Sequence, residues 1–454
     1  MPDALTLAPI LFGAMYVLML TFQKYRPFIS LGAAMIFLLL GAIPAFGFDF
    51  TPKDALRAID WNVLLMIAGM MGTVHLFIAS KMPGRISDAI IRKTPNILWM
   101  TVALSLFAGI VSALIDNVAT VLMIAPVALA VCRQLKISPV PAIICITVSS
   151  NLQGAATLVG DTTSILLAKA AMLDFLDFFV DNGHVGIFFI VQAGALLSGL
   201  VMVFMFRKER ESTHTKQKTP VDSLVPSMLL LLTVLTLIAV SFIPYRSGAA
   251  PGGIYKPEIT NGLICVFYFV IGLLYEALVR RKRGLVWETV KSIDYATLAL
   301  LLGLFLVIGA VEKAGVIHLI GEMIASLSGD GKGESLFLIY TVIVWMSVLL
   351  SAFIDNIPYT ATMLPVVAAV AASIAQHGGP AVDPKLFFYG LLAGATLGGN
   401  LTPIGASANI AGLGILRREG YTVKTGTFMK YSVPFTLAAV TSAYVLLWLI
   451  WAPK

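Results

Sequence analysis

The chain has 454 residues, of which 58% are hydrophobic and only 12% charged, and its mean hydropathy is +0.91. Soluble domains carry roughly a quarter charged residues, so this composition excludes a soluble enzyme or binding module and demands a polytopic membrane protein. The formal charge of +7 reflects basic loops beside a bilayer rather than a nucleic-acid surface.

The opening MPDALTLAP has no basic n-region and no small-residue cleavage site, so the first apolar stretch reads as a retained helix. Segments of the length needed to span, about 20 apolar residues, run over 4–22, 27–46 and 62–80. An amphipathic stretch at 82–93 fits a short interfacial helix. Next comes SALIDNVATVLMIAP (112–126), where an Asp-Asn pair interrupts an apolar run, and VSSNLQGAATLVGDTTSILLA (148–168), an apolar helix broken by Gly, Thr and Asn. A span at 184–206 precedes the polar linker RKERESTHTKQKTP. The second half runs through spans at 225–242, 260–279 and 296–311 and an amphipathic stretch at 315–327. It continues with SAFIDNIPYTATMLP (351–365), the broken AGATLGGNLTPIGASANIAGLG (393–414) and a last span at 431–451. Cys132, Cys145 and Cys265 lie in apolar segments at no metal-ligand spacing, and read as small buried hydrophobes.

The halves match. AIDWNVLLMIAG pairs with SIDYATLALLLG, Asp116 with Asp355 and Gly160 with Gly405, at a spacing that drifts by only a few residues. Such a duplication marks secondary transporter folds. The expected domains are a first repeat over 1–206, a cytoplasmic linker over 207–224 and a second repeat over 225–454. If each Asp-Asn segment is a re-entrant hairpin and each broken helix crosses once, the first half crosses an odd number of times, and the second half is inverted. With both termini outside, the large majority of the 31 Lys and Arg fall in inside loops, as the positive-inside rule requires. The fold class is therefore an all-α polytopic membrane protein, an inverted-repeat secondary transporter with two re-entrant hairpins and two broken helices, multi-pass in the plasma (inner) membrane.

Non-helical backbone at membrane depth is tolerated only where protein or a water-filled cavity satisfies it. The hairpin tips offer Asp116, Asn117 and Thr120, and Asp355, Asn356 and Thr360. The breaks offer Asn151, Gly154, Thr157, Gly160, Asp161 and Thr162, and Gly399, Asn400, Thr402, Gly405, Ser407 and Asn409. In an inverted repeat these four places converge near the midplane, where helix termini present partial charges to an ion. Capping alone would equally place Asp at a helix start, but a neutral Ser or Asn caps without the penalty of about 2.5 to 3.5 kcal/mol for an intramembrane carboxylate. His75 reads as a proton relay or as a hydrogen-bonded core residue.

DNVATVLMIAP and DNIPYTATMLP, followed by GAATLVGDTTS and GNLTPIGASANIAG, resemble the signature segments of the ArsB/NhaD permease family in the ion transporter superfamily. That family includes arsenite permeases, sodium/proton antiporters and the P protein. The resemblance covers essentially the whole chain. It implies a scaffold and a mobile transport domain, an elevator-type movement and a homodimer. Related dicarboxylate carriers carry Ser-Asn-Thr at the tips, where this chain has Asp. Many relatives read Gly-Asp-Pro-Pro-Asn where this chain has Gly160-Asp161-Thr162-Thr163-Ser164.

Asp116, Asp355 and Asp161 would repel a citrate-like anion unless cations bind with it. The expected function is a proton- or sodium-coupled permease for a small inorganic ion or metalloid, of arsenite/antimonite efflux type, with a sodium/proton antiporter as the competing reading. A cytoplasmic ATPase partner would accompany arsenite efflux. No cofactor, and no metal beyond a transported sodium ion, is expected. A channel would use the same scaffold. An intramembrane aspartyl protease would need its two Asp in a Gly-x-Gly-Asp context, which Gly160-Asp161 lacks.

Overall fold

The computed structural model describes residues 4–43, 47–209, 211–212, 219–245, 255–326, 333–376 and 383–453. Apolar runs in a bilayer must satisfy their own backbone groups, and nearly all of them here do so as helices. The first half comprises α1 (Ala4–Thr21), α2 (Arg26–Gly41), a short α3 (Pro52–Ala58), α4 (Trp61–Ala79) and the amphipathic α5 (Met82–Lys93). Then follow α6 (Ile97–Ser112), α7 (Asn117–Gln134), α8 (Val140–Gly154), α9 (Thr162–Ala170), the strands β1 (Val180–Asp181) and β2 (His184–Val185), and α10 (Ile187–Met205). The second half runs through α11 (Val225–Ser241), α12 (Thr260–Leu274), α13 (Arg283–Ser292), α14 (Tyr295–Lys313), α15 (Val316–Ser326) and α16 (Gly333–Ser351). It ends with α17 (Asn356–Gln376), α18 (Lys385–Gly398), α19 (Ser407–Arg418) and α20 (Thr425–Trp451). Among the described residues, nine stretches are long and apolar enough to cross a membrane, and the protein is a multi-pass integral membrane protein. The last of them starts at Thr425, ahead of the expected 431, because Phe428 is already buried in the first turn.

The sequence match between the halves has a structural counterpart at each step. Asp60 and Asp294, shared by AIDW and SIDY, are N-caps: Asp60 accepts from Val63 N at 3.0 Å and Asp294 from Thr297 N at 3.0 Å. The helices they start are cross-packed between halves, α4 against α12 and α14 against α2. A Cβ at Gly69 would lie 2.5 Å from the Cys265 carbonyl carbon, and one at Gly303 would lie 2.6 Å from that of Ser30. Only glycine permits helices to approach this closely, so each half locks onto the other.

The linker is stitched down where it is described. Ile97 N donates to Glu211 O at 3.0 Å, Thr219 N and Oγ1 donate to Asp88 Oδ2 at 2.6 and 2.7 Å, and Asp222 accepts from Arg280 and Lys282. Residues 210 and 213–218 of the expected linker lie outside the described residues.

Candidate functional site

Each Asp-Asn segment turns between antiparallel arms, α6 to α7 and α16 to α17, and each Gly-rich segment interrupts a helix, α8 to α9 and α18 to α19. The same bonds recur in both halves, the first pair joining break to hairpin and the second closing the break on itself. Thr157 Oγ1 donates to Ala113 O, and Thr402 Oγ1 to Ala352 O. Ser164 Oγ donates to Gly154 O at 3.0 Å, and Asn409 Nδ2 to Gly399 O at 3.0 Å. The glycines beside these bonds sit against carbonyl oxygens. A Cβ on Gly160 would lie 2.7 Å from Gly154 O, 3.0 Å from Ser112 O and 3.1 Å from Ala113 O; one on Gly405 would lie 2.6 Å from Gly399 O and 2.8 Å from both Ala352 O and Ser351 O.

The first residues of four helices, Asn117 of α7, Thr162 of α9, Asn356 of α17 and Ser407 of α19, line one cavity of about 240 Å³. Each helix N-terminus carries roughly +0.5 elementary charge. Three of the four are capped by a carboxylate. Asp116 accepts from Ala119 N at 3.1 Å, Asp161 from Thr162 N at 2.7 Å, and Asp355 from Ile357 N at 3.2 Å. The fourth cap is Ala406, whose side chain cannot bond. Capping, weighed in the sequence as an alternative to ion handling, is thus one of the things these Asp residues do.

Asp161 is the hub. Its Oδ2 accepts from Asn356 Nδ2 at 3.1 Å, Thr163 Oγ1 at 3.2 Å and Asn117 Nδ2 at 3.4 Å, so one asparagine from each hairpin tip reaches the same buried oxygen. Behind it, Asn117 Nδ2 also donates to Asn151 Oδ1 at 2.8 Å, and Asn151 Nδ2 donates to Asn400 Oδ1 at 3.1 Å and Thr396 O at 2.7 Å. Asn400 Nδ2 returns to Val148 O at 2.8 Å. Thr163 Oγ1 meets Thr396 Oγ1 at 3.0 Å, a second tie between halves.

The residues singled out in the sequence therefore fall into groups. Asp116, Asn117, Asp161, Thr162, Asn356 and Ser407 line the cavity. Asn151 and Asn400 tie the breaks together behind it. Thr157, Gly160, Thr402 and Gly405 join break to hairpin, and Gly154, Gly399 and Asn409 hold each break together from within. Thr120 and Thr360 are buried hydroxyls with no hydrogen-bond partner among the described residues. Asp355 is 5% exposed and does not line the cavity, though its Oδ2 accepts from the lining residue Ser407.

Seven lining residues come from outside the four motif segments, among them the polar Ser292 and three that bear on the chemistry. Asp294 and Thr297 stand at the start of α14, and His75 projects from α4. The Thr289 hydroxyl donates to Leu285 O at 2.7 Å, so at 3.0 Å from His75 it accepts from Nδ1, and His75 Nε2 is left as an acceptor. Asp294 was visible in the sequence only as half of a repeat match. Its paired occurrence with Asp60 at the start of apolar helices was the available signal. Among the described residues the cavity lining holds the carboxylates Asp116, Asp161 and Asp294 and no Lys or Arg.

A citrate transporter (CitMHS) family model matches residues 16–394. An uncharacterized transporter of Mycobacterium bovis is 31% identical over 447 residues, 97% of this chain and 97% of that protein. The human P protein is 26% identical over 464 residues, which are 88% of this chain and 55% of the P protein. Among solved structures, the YdaH transporter of Alcanivorax borkumensis aligns with a TM-score of 0.61 at 14% identity, over 94% of this chain and 97% of that one. MtrF of Neisseria gonorrhoeae aligns with a TM-score of 0.56 at 14% identity, over 100% of this chain and 96% of that one. At these identities the two structures speak to the fold, that of a polytopic membrane transporter.

Proposed function

From the premise that the chain belongs to the citrate transporter (CitMHS) family and is a secondary transporter rather than an enzyme, we propose that it moves a small inorganic ion or metalloid in exchange for protons or sodium, with arsenite or antimonite efflux as the first substrate to test. The observation that carries this reading is the convergence of both hairpin asparagines on Asp161 in a cavity lined by Asp116 and Asp294. Buried carboxylates favour their charged form only when a cation is present, so a proton or sodium ion competes with other occupants there. Neutral arsenous acid would find hydroxyl, amide and carboxylate acceptors in this lining. The ArsB/NhaD-like motifs support the same choice, and sodium/proton exchange would use the same groups.

A second reading is a citrate-like anion carried together with cations. The description of the family favours it, and so do the four helix N-termini, whose partial charges offset part of the carboxylate charge facing the cavity. Inverted repeats, an elevator-type movement, a homodimer, a cytoplasmic ATPase partner for arsenite efflux and termini outside the plasma membrane belong to the first proposal. Initial-rate flux into proteoliposomes tests it, with arsenite, antimonite, sodium and citrate offered in turn under an imposed proton or sodium gradient. Arsenite or sodium moved uphill supports the proposal. Uphill movement of citrate alone replaces it with the second reading. In Asp116→Asn, which keeps size and most capping ability, uphill flux should lose its pH dependence.

A further inference from the structure

The two hairpin tips repeat the Asp-Asn pair but not its surroundings. Asp116 is half-buried and lines the cavity, and among the described residues no Lys, Arg or His side chain forms an ion pair with it. Asp355 is buried outside that lining. Arg26 Nη1 lies 3.4 Å from its Oδ2, and Ser407 Oγ donates to the same oxygen at 2.9 Å. Arg26 belongs neither to a hairpin nor to a break. It begins α2, is itself largely buried, and its Nε donates to Met19 O at 3.3 Å at the end of α1. A guanidinium in such a place stays charged at any working pH and is tethered, unlike a diffusible ion.

We propose that Arg26 is a built-in counter-cation for the second hairpin, filling at Asp355 the electrostatic role that a coupling proton or sodium ion fills at Asp116. The duplicated motif then supplies one ion-coupling carboxylate at its tips instead of two. The inference rests on the cation-coupled reading of the site and deepens it. A buried carboxylate stripped of its only nearby cation is strongly destabilising, so without Arg26 the protein must recruit a proton or metal ion in its place. The charged and titratable groups near Asp355 are Arg26 of α2, Asp161 at the first break, and, around the turn that follows Asp355, the phenols of Tyr16 on α1 and Tyr359 on α17. Of these, Arg26 alone is cationic.

The test is thermal unfolding of the purified full-length protein in detergent, titrated with sodium chloride against choline chloride at two pH values. Wild type, Arg26→Lys, Arg26→Gln, Asp116→Asn and the double variant Arg26→Gln/Asp355→Asn are compared. Asp116→Asn should lose most of the wild-type response to sodium or acid, and Arg26→Lys should follow wild type. Arg26→Gln should unfold at lower temperature in choline and recover with sodium or acid. Its midpoint should rise with log sodium about 2-fold more steeply than wild type, because a second ion now stabilises the native state. The double variant should lose that extra slope and regain much of the stability. An Arg26→Gln response equal to wild type, or a double variant as cation-sensitive as the single one, overturns the proposal and leaves Arg26 a packing residue. Proteoliposome flux of wild type is measured in parallel. Flux without any cation or proton dependence defeats the coupling reading by itself, whatever slopes the variants show.

Discussion

Replacing Gly405 with Ala adds one methyl group where three backbone oxygens already meet. The new Cβ would stand 2.6 Å from Gly399 O and 2.8 Å from Ala352 O and Ser351 O, whereas ordinary contact begins near 3.4 Å. The break must therefore retreat from the hairpin by about 0.6 Å, and its own turn at Gly399 must open by about 0.8 Å. It cannot do so by rotating a side chain, since every neighbour is main chain, and Thr402 Oγ1, bonded to Ala352 O, is pulled with it. Overpacking of this kind costs about 1–3 kcal/mol. The control is Gly414→Ala in α19 of the same repeat, where nothing lies within 4 Å and Ala gains about 0.8–1 kcal/mol of helix propensity. The two variants should differ by about 2–4 kcal/mol, roughly 30- to 1,000-fold in the folding equilibrium. Unfolding midpoints in detergent and initial flux rates in proteoliposomes read the difference, with Gly405→Ala the worse in both. Equal stability and equal flux in the two variants would refute the reasoning, because the break would then be free to move off the hairpin.

Gly160→Ala should follow the same course less severely, since its nearest oxygens stand at 2.7, 3.0 and 3.1 Å, and a ranking reversed in the same assay counts against the geometry. Asp161→Asn exchanges an acceptor-only group for one that offers two N–H donors to Asn117, Asn356 and Thr163, which are donors themselves. The clash of donors is worth about 1–3 kcal/mol, so flux should fall by about 5- to 160-fold with membrane insertion intact, as measured by uptake normalised to inserted protein. Single cysteines at Arg281 and Lys53 should label from the cytoplasm and from outside respectively. Cys132, Cys145 and Cys265 are buried and give little background. Labelling of both positions from one face would remove the inverted arrangement.

The hairpins and breaks were legible because a charge or a Gly-Asn cluster inside an apolar run is conspicuous, and because the run occurs twice. Asp161 was legible as one acidic residue among several, but not as the centre, since nothing in GAATLVGDTTS says that asparagines from two distant tips will reach it. Arg26 was hidden for a different reason. It stands in a short basic connector between two apolar spans, the place where the positive-inside rule expects a loop cation, and its partner Asp355 lies in the other half of the chain. The three caps Asp116, Asp161 and Asp355 could be read from their positions before helical segments, whereas the burial of Asp355 outside the cavity lining depends on Arg26 at the start of α2 and Ser407 at the start of α19, both distant in the chain. Gly160 and Gly405 were legible as members of the breaks, which were expected to meet an ion. In the fold their Cα atoms are what the carbonyls surround, because break and hairpin touch through main chain there.

Asp161 caps α9, and the residue in the matching position before α19 is Ala406. Two identical half-length subunits related by a two-fold axis would bring either two such carboxylates or none to the asparagines of the two tips, since every residue of a symmetric pair occurs twice. A capping carboxylate without a symmetric counterpart is open only to a chain that holds both halves and lets each differ from the other. Carrying both halves in one chain therefore does more than fix their stoichiometry: it lets Asp161, which has only Ala406 opposite it, stand between two tips that each bring an asparagine.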